Sequence, residues 1–157
     1  MKKPERLTMS FKDAQAIKMY IAMGISNVVF DKITFAARKV IANIDKACEM
    51  ITAGVNDRID TARIKHALTD KESGAILFDR SASGENYKYS ADGLLALRAE
   101  IKKEQDSVQN MMVEFEPCIA EIDQCPRVKT FDPLVIEKLD GILFPKGYFK
   151  KTFVDFK

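Results

Sequence analysis

Asp79, Ser81, Ser83, Gly84 and Glu85 fall where an EF-hand-type loop would place its first, third, fifth, sixth and seventh residues. They lie inside TDKESGAILFDRSASGENYKYSADG, which runs from Thr69 to Gly93. Such a loop closes on a bidentate glutamate and carries an apolar residue just after its midpoint. Those places hold Ser90 and Asn86, so only Asp79 and Glu85 bring full charge and no calcium site is expected. Gly74 and Gly84 stand apart, without the glycine-rich turn and lysine that cradle phosphate.

The remaining chemistry is sparse. His66 is the only histidine, and Asp70 one helical turn on is its sole neighbour in reach along a helix. A general base needs a nucleophile or an orienting carboxylate, so His66 reads as an ordinary residue closing an amphipathic stripe. Cys48, Cys118 and Cys125 have no C-x-x-C spacing and no second histidine, so they read as buried structural thiols in a reducing compartment and not as a zinc set. The carboxylate pairs Glu114/Glu116 and Glu121/Asp123 alternate as on the solvated face of a strand. No catalytic residue, metal or cofactor is expected, and the chain reads as something other than an enzyme.

These residues must be positioned by helices. Ala37, Ile41, Ile44, Cys48, Ile51 and Val55 recur at alternating intervals of four and three, the seam of a helix laid along another helix. Beyond Val55 the apolar series shifts by one residue to Ile59, Ala62 and His66, either a stutter or a break at Gly54. After Ser90 a second seam runs through Leu94, Leu97, Ile101, Glu104, Val108, Met111 and Phe115. Glu104 is its one charged member and Arg58 falls in the other seam; Glu104 either reaches solvent or meets Arg58 across the interface.

Two seams joined by a turn predict an antiparallel pair, with Ile44 and Ile101 in one core. Ser10 and Asp13 form a capping box that opens a short N-terminal helix, ended at Gly24 by a left-handed cap. ISNVVF (25–30) reads as an extended link or short strand. VEFEPCI (113–119) reads as a short edge strand, and Asp132-Pro133 opens a helix that ends at Gly141.

The fold class expected is therefore mostly α with minor β: an antiparallel long-helix hairpin with a short N-terminal helix, a β-hairpin connector and a short C-terminal helix/strand region. We expect a single domain over 1–157, the helical hairpin spanning 31–112 with its connector at 70–90, and strand, helix and aromatic tail over 113–157. A chain of 157 residues, 46% hydrophobic and 31% charged, can bury a core without staples. The net charge of +2 is too balanced to call for nucleic acid or an anionic membrane, and no apolar run is long enough to span a bilayer. Asp13 and Lys18 interrupt what a signal peptide would need, so a cytoplasmic protein is expected.

The connector supplies AILFD and YKYS as strands folding back at Ser83-Gly84, and an isolated two-stranded hairpin is marginal in water. It must lean on helix ends or on a partner, so Phe78, Asp79, Tyr87 and Tyr89 are candidate contact residues. The tail GYFKKTFVDFK adds Tyr148, Phe149, Phe153 and Phe156, interleaved with lysines. It reads as an edge strand packed on its own fold, next as a strand adding to a partner's sheet, and last as a stacking surface for single-stranded nucleic acid.

The order FDKITFAARKVIANIDKACEMI, DKESGAILFD…YKYSADGLLAL, VEFEPCI and FDPLVIEKLDGIL resembles small uncharacterised proteins of tailed bacteriophages and prophages over about residues 31–144. The resemblance implies an accessory role in the virion, in assembly or at the host, and implies no catalytic residues. The functional expectation is a non-catalytic protein-interaction or structural accessory that binds a protein partner or a second copy of itself, without a membrane. The alternative is a small nucleic-acid-binding regulator that uses its basic and aromatic termini.

Overall fold

The computed structural model describes residues 5–25, 31–81, 84–122 and 131–154. The link at 26–30, Ser83, Cys125 and Phe156 lie outside the described residues. The described residues are mostly helical, with two small antiparallel sheets. In order it forms β1 (Leu7–Ser10), α1 (Phe11–Gly24), α2 (Lys32–His66), β2 (Phe78–Ser81), β3 (Gly84–Tyr87), α3 (Ala91–Ser107), β4 (Met112–Phe115) and α4 (Pro133–Lys138), with a π-helical turn at Lys150–Val154. Among the described residues no helix is long and apolar enough to cross a membrane.

Contacts group the residues into two compact units, Met1–Glu49 with Asn110–Lys157, and Met50–Gln109. α2 is unbroken through Gly54, so the one-residue shift of its apolar series is a stutter. Its residues up to Glu49 belong to the first unit and those from Met50 to the second.

In the first unit, Ser10 ends β1 and caps α1: its Oγ accepts from the Asp13 N–H at 3.1 Å and donates to Asp13 Oδ2 at 2.6 Å. β1 pairs with β4 in the register Leu7↔Phe115 to Ser10↔Met112. Val113 and Phe115 on β4 are buried while Met112 and Glu114 are exposed, the period-two pattern expected of that segment. Asp132 caps α4 by accepting from the Leu134 N–H at 2.8 Å, with Pro133 at the first helical position. Gly141 follows with a φ of 75°, a left-handed conformation that suits glycine. Around these elements Ile17, Ile21, Ile33, Val40, Ile44, Val135, Ile136, Leu139, Leu143 and Phe144 are buried.

Gly24 is not a left-handed cap. The residue after it, Ile25, is extended, and its N–H donates to the Ile21 carbonyl. A Cβ at Gly24 would lie 2.8 Å and 2.9 Å from ring carbons of Phe131 and 2.9 Å from Val135 Cγ1. The position is small because α1 approaches Phe131 and the α4 segment closely.

In the second unit, α3 lies antiparallel to the later half of α2. Arg58 Nε pairs with Glu104, and further along α2 Lys65 and His66 pair with Glu100, so partners on α3 descend as α2 ascends. Among the described residues, Val55, Ile59, Ala62, Leu97 and Val108 are the buried apolar residues of this unit. Ile44 belongs to the first unit and Ile101 to the second; the helical hairpin is carried by α2 from Val55 onward and by α3. Ser90 caps α3 through the Gly93 N–H at 3.0 Å, and a Cβ at Gly93 would come within 3.2 Å of the His66 carbonyl oxygen. Glycine there lets the start of α3 close on the end of α2.

Candidate functional site

The connector between α2 and α3 is anchored by backbone before it becomes a free hairpin. Leu68 N–H donates to the Lys88 carbonyl, Leu77 N–H to the Leu68 carbonyl and Lys88 N–H to the Leu77 carbonyl, each at 2.8 Å. A tight turn at 70–75 closes one side. Asp70 Oδ1 accepts from the Ser73 and Glu72 N–H groups and from Ser73 Oγ, and these bonds, Ser73's first, hold its carboxyl below the ordinary range. Gly74, with a φ of 70°, completes that turn.

Beyond this web, β2 and β3 pair from Phe78↔Tyr87 to Ser81↔Gly84, so Gly84 stands within the ladder and not at the bend assigned to it. Phe78 and Tyr87 sit directly opposite with ring centroids 5.4 Å apart. Strand alternation places Tyr89 on the same face as Tyr87, and Asp79 on the other beside Leu77. Tyr89 is half-buried; burial pushes its hydroxyl pKa up, against the smaller opposing effect of the Arg63 cation on α2. Phe78 remains 49% exposed and Leu77 36% exposed. The four connector residues expected to share a surface thus divide: Phe78, Tyr87 and Tyr89 share a face, and Asp79 does not.

The tail differs from its expected form. Residues 150–154 make a π-helical turn in place of an edge strand. Asp140 dictates this: its two carboxylate oxygens accept from the Gly147 N–H at 2.8 Å and the Tyr148 N–H at 3.0 Å. Those bonds bend the chain where a strand would continue. Tyr148 then stacks on the buried Phe144 at 5.9 Å with rings 15° from parallel. Phe149 and Phe153 face each other at 5.4 Å, with Phe153 partly exposed. Tyr148 therefore belongs to the fold, while Phe153 reaches the surface.

Polar contacts that the sequence left open are now placed. Glu104 meets Arg58, the second of its two readings. His66 finds a carboxylate on α3 and not on its own helix: Nε2 lies 2.7 Å from Glu100 Oε2, with Lys65 Nζ at 3.1 Å from the same oxygen. These bonds, His66's first and then Lys65's, hold the Glu100 carboxyl below its ordinary pKa. Cys48 is buried beside Gln15, and burial pushes its thiol up; Cys118 is half-buried. Among the described residues no group of three or more His, Cys, Asp or Glu side chains is arranged to hold a metal ion.

Sequence reasoning missed β1 and, with it, a groove of about 360 Å³ lined by Arg6, Asn43, Lys46, Ala47, Glu114, Phe115 and Glu116. The available signal was the alternation in Leu7-Thr8-Met9-Ser10, too short to separate from a helix lead-in. Comparison of the chain with protein-family models, with curated proteins and with solved structures gives no match.

Proposed function

We propose that the chain is a non-catalytic protein-interaction accessory whose contact surface is the β2–β3 hairpin. The observation that carries this reading is Phe78. It is paired with Tyr87 on a two-stranded sheet yet stays half in water, where such a sheet is marginal without something to cover its face. The α2–α3 pair and the backbone web at Leu68, Leu77 and Lys88 act as the rigid mount. Phe149 and Phe153 form a secondary contact. The likeness in layout to small tailed-phage proteins supports a role in a virion, in its assembly or at the host, in the cytoplasm of a bacterium.

The test is photocrosslinking from position 78 with p-benzoylphenylalanine in producing cells. A discrete protein adduct, lost when Tyr87→Ser is added, is the expected result. Adducts confined to nucleic acid, with binding that falls steeply as salt rises, would replace this reading by that of a nucleic-acid-binding regulator. An adduct pattern indifferent to Tyr87→Ser would remove the hairpin from the account.

A further inference from the structure

The outer edge of β4 faces α2. The Phe11 N–H donates to the Met111 carbonyl at 2.7 Å, and these two residues continue the β1–β4 register. In an antiparallel ladder directly bonded pairs alternate with unbonded ones. Met9/Val113 and Leu7/Phe115 are therefore the bonded pairs, and the backbone N–H and C=O of Met112 and Glu114 point away from β1. The next outward carbonyl in that alternation is that of Glu116, and it is taken: Asn43 Nδ2 on α2 donates to it at 2.8 Å. This fixes α2 on the open side of the strand. Between them runs the groove walled by Asn43, Lys46 and Ala47 on one side and Glu114 to Glu116 on the other.

The Glu114 backbone has no hydrogen-bond partner among the described residues. An open strand edge beside a helix is the geometry in which an extended peptide adds as a further strand. Asn43 already occupies the end of that edge as such a peptide would. The groove's volume lies at the lower end of those that hold small ligands, room for a few residues of extended chain.

Its charges select the occupant. The Arg6 guanidinium lies 3.5 Å from Glu114 and 3.8 Å from Glu116, so both lining carboxylates share a cation. Lys46 lines the groove with no ion-pair partner among the described residues. We propose that this groove binds an extended peptide segment as a third strand along β4, with the Lys46 ammonium taking a carboxylate of that peptide. The proposal concerns the first unit and stands or falls independently of the hairpin reading.

The experiment selects a displayed library of random linear peptides, free at their C-termini, against the full chain. Enriched peptides are expected to carry a carboxylate, to lose about ten-fold in affinity on Lys46→Glu, and to keep it on the charge-matched control Lys12→Glu. Remaking the tightest peptide as its C-terminal amide tells an α-carboxylate from an aspartate or glutamate side chain. Independently of any variant, bound peptide is expected to slow hydrogen exchange at the Glu114 amide. Failure to enrich peptides, equal affinity for the Lys46→Glu chain, or unchanged exchange at Glu114 would each overturn the proposal.

Discussion

The two units hold themselves together by different means. Every one of the largest fully buried side chains among the described residues, from Phe144 and Ile21 to Val135 and Cys48, lies in the unit formed by the two ends of the chain. There Phe131 packs edge-on against Phe144 at 5.7 Å, and Phe144 stacks on Tyr148. Among the described residues the central unit buries fewer apolar side chains, Val55, Ile59, Ala62, Leu97 and Val108, most of them less completely, and lines its helix pair with Arg58–Glu104, Lys65–Glu100 and His66–Glu100. Solvent-facing ion pairs such as Arg58–Glu104 and Lys65–Glu100 contribute little each, about 0–1 kcal/mol, whereas burial of a large apolar side chain contributes about 1.5–3 kcal/mol. The first unit is thus held by packing, and the second by a thin seam that its charges keep in register. The half-exposed Phe78, the centre of the proposed contact surface, lies in the less packed of the two.

Truncation in the packed unit gives the largest effect. Phe144→Ala is expected to cost about 3–5 kcal/mol, read as a lower urea midpoint for the amides of α4 and β4. A cost below about 1 kcal/mol would show that the ring cluster is not structural. Gly24→Ala comes next. Its added methyl meets aromatic and β-branched side chains at 2.8–2.9 Å, and overpacking of this sort costs about 1–3 kcal/mol despite alanine's better helix propensity. A stabilised variant would show that α1 does not approach Phe131 and Val135 as closely as this.

Smaller effects belong to the central unit. Arg58→Ala is expected to lower its stability by about 0.5–1 kcal/mol, an effect that shrinks as salt is added. A loss that is larger and insensitive to salt would mean that the arginine stem, and not its charge, packs the seam. The pH response is the subtlest. The Glu100 carboxyl is held below its unfolded value by His66 and Lys65, so its stabilisation is in place above the ordinary carboxylate range. It is lost as pH falls through the lowered folded-state value. Glu100→Gln is therefore expected to lower stability at neutral pH slightly and to flatten the acid limb of a stability–pH curve for α2 and α3, so that variant and parent converge in acid. An acid limb identical to that of the parent would contradict the assignment.

Much of this architecture was legible because it is written in local spacing. Caps at Ser10, Ser90 and Asp132 announce themselves through short-range hydrogen bonds, and the Val113/Phe115 alternation marks β4. The Arg58–Glu104 pair was readable as two charges in otherwise apolar seams. What escaped depends on contacts between distant residues. Gly24 is small because of Phe131 and Val135, more than a hundred residues away in sequence, and His66 chose Glu100 over Asp70 for the same kind of reason. The tail's propensity favoured a strand, but the Asp140 carboxylate, reaching the Gly147 and Tyr148 amides, overrode it. The groove beside β4 could not be seen without knowing that β1 and α2 flank the same strand. Of the candidate contact residues, Phe78, Tyr87 and Tyr89 share a face and Asp79 does not, a division that needs the β2–β3 register, just as the inward turn of Tyr148 needs Phe144.

Native-state hydrogen exchange along α2 tests the contrast most directly, since one continuous helix supplies both halves of the comparison. Under mildly denaturing conditions the amides of Val40 and Ile44 should open only with global unfolding, and those of Ile59 and Ala62 at distinctly lower free energy. A single opening energy from Val40 through Ala62 would contradict the account.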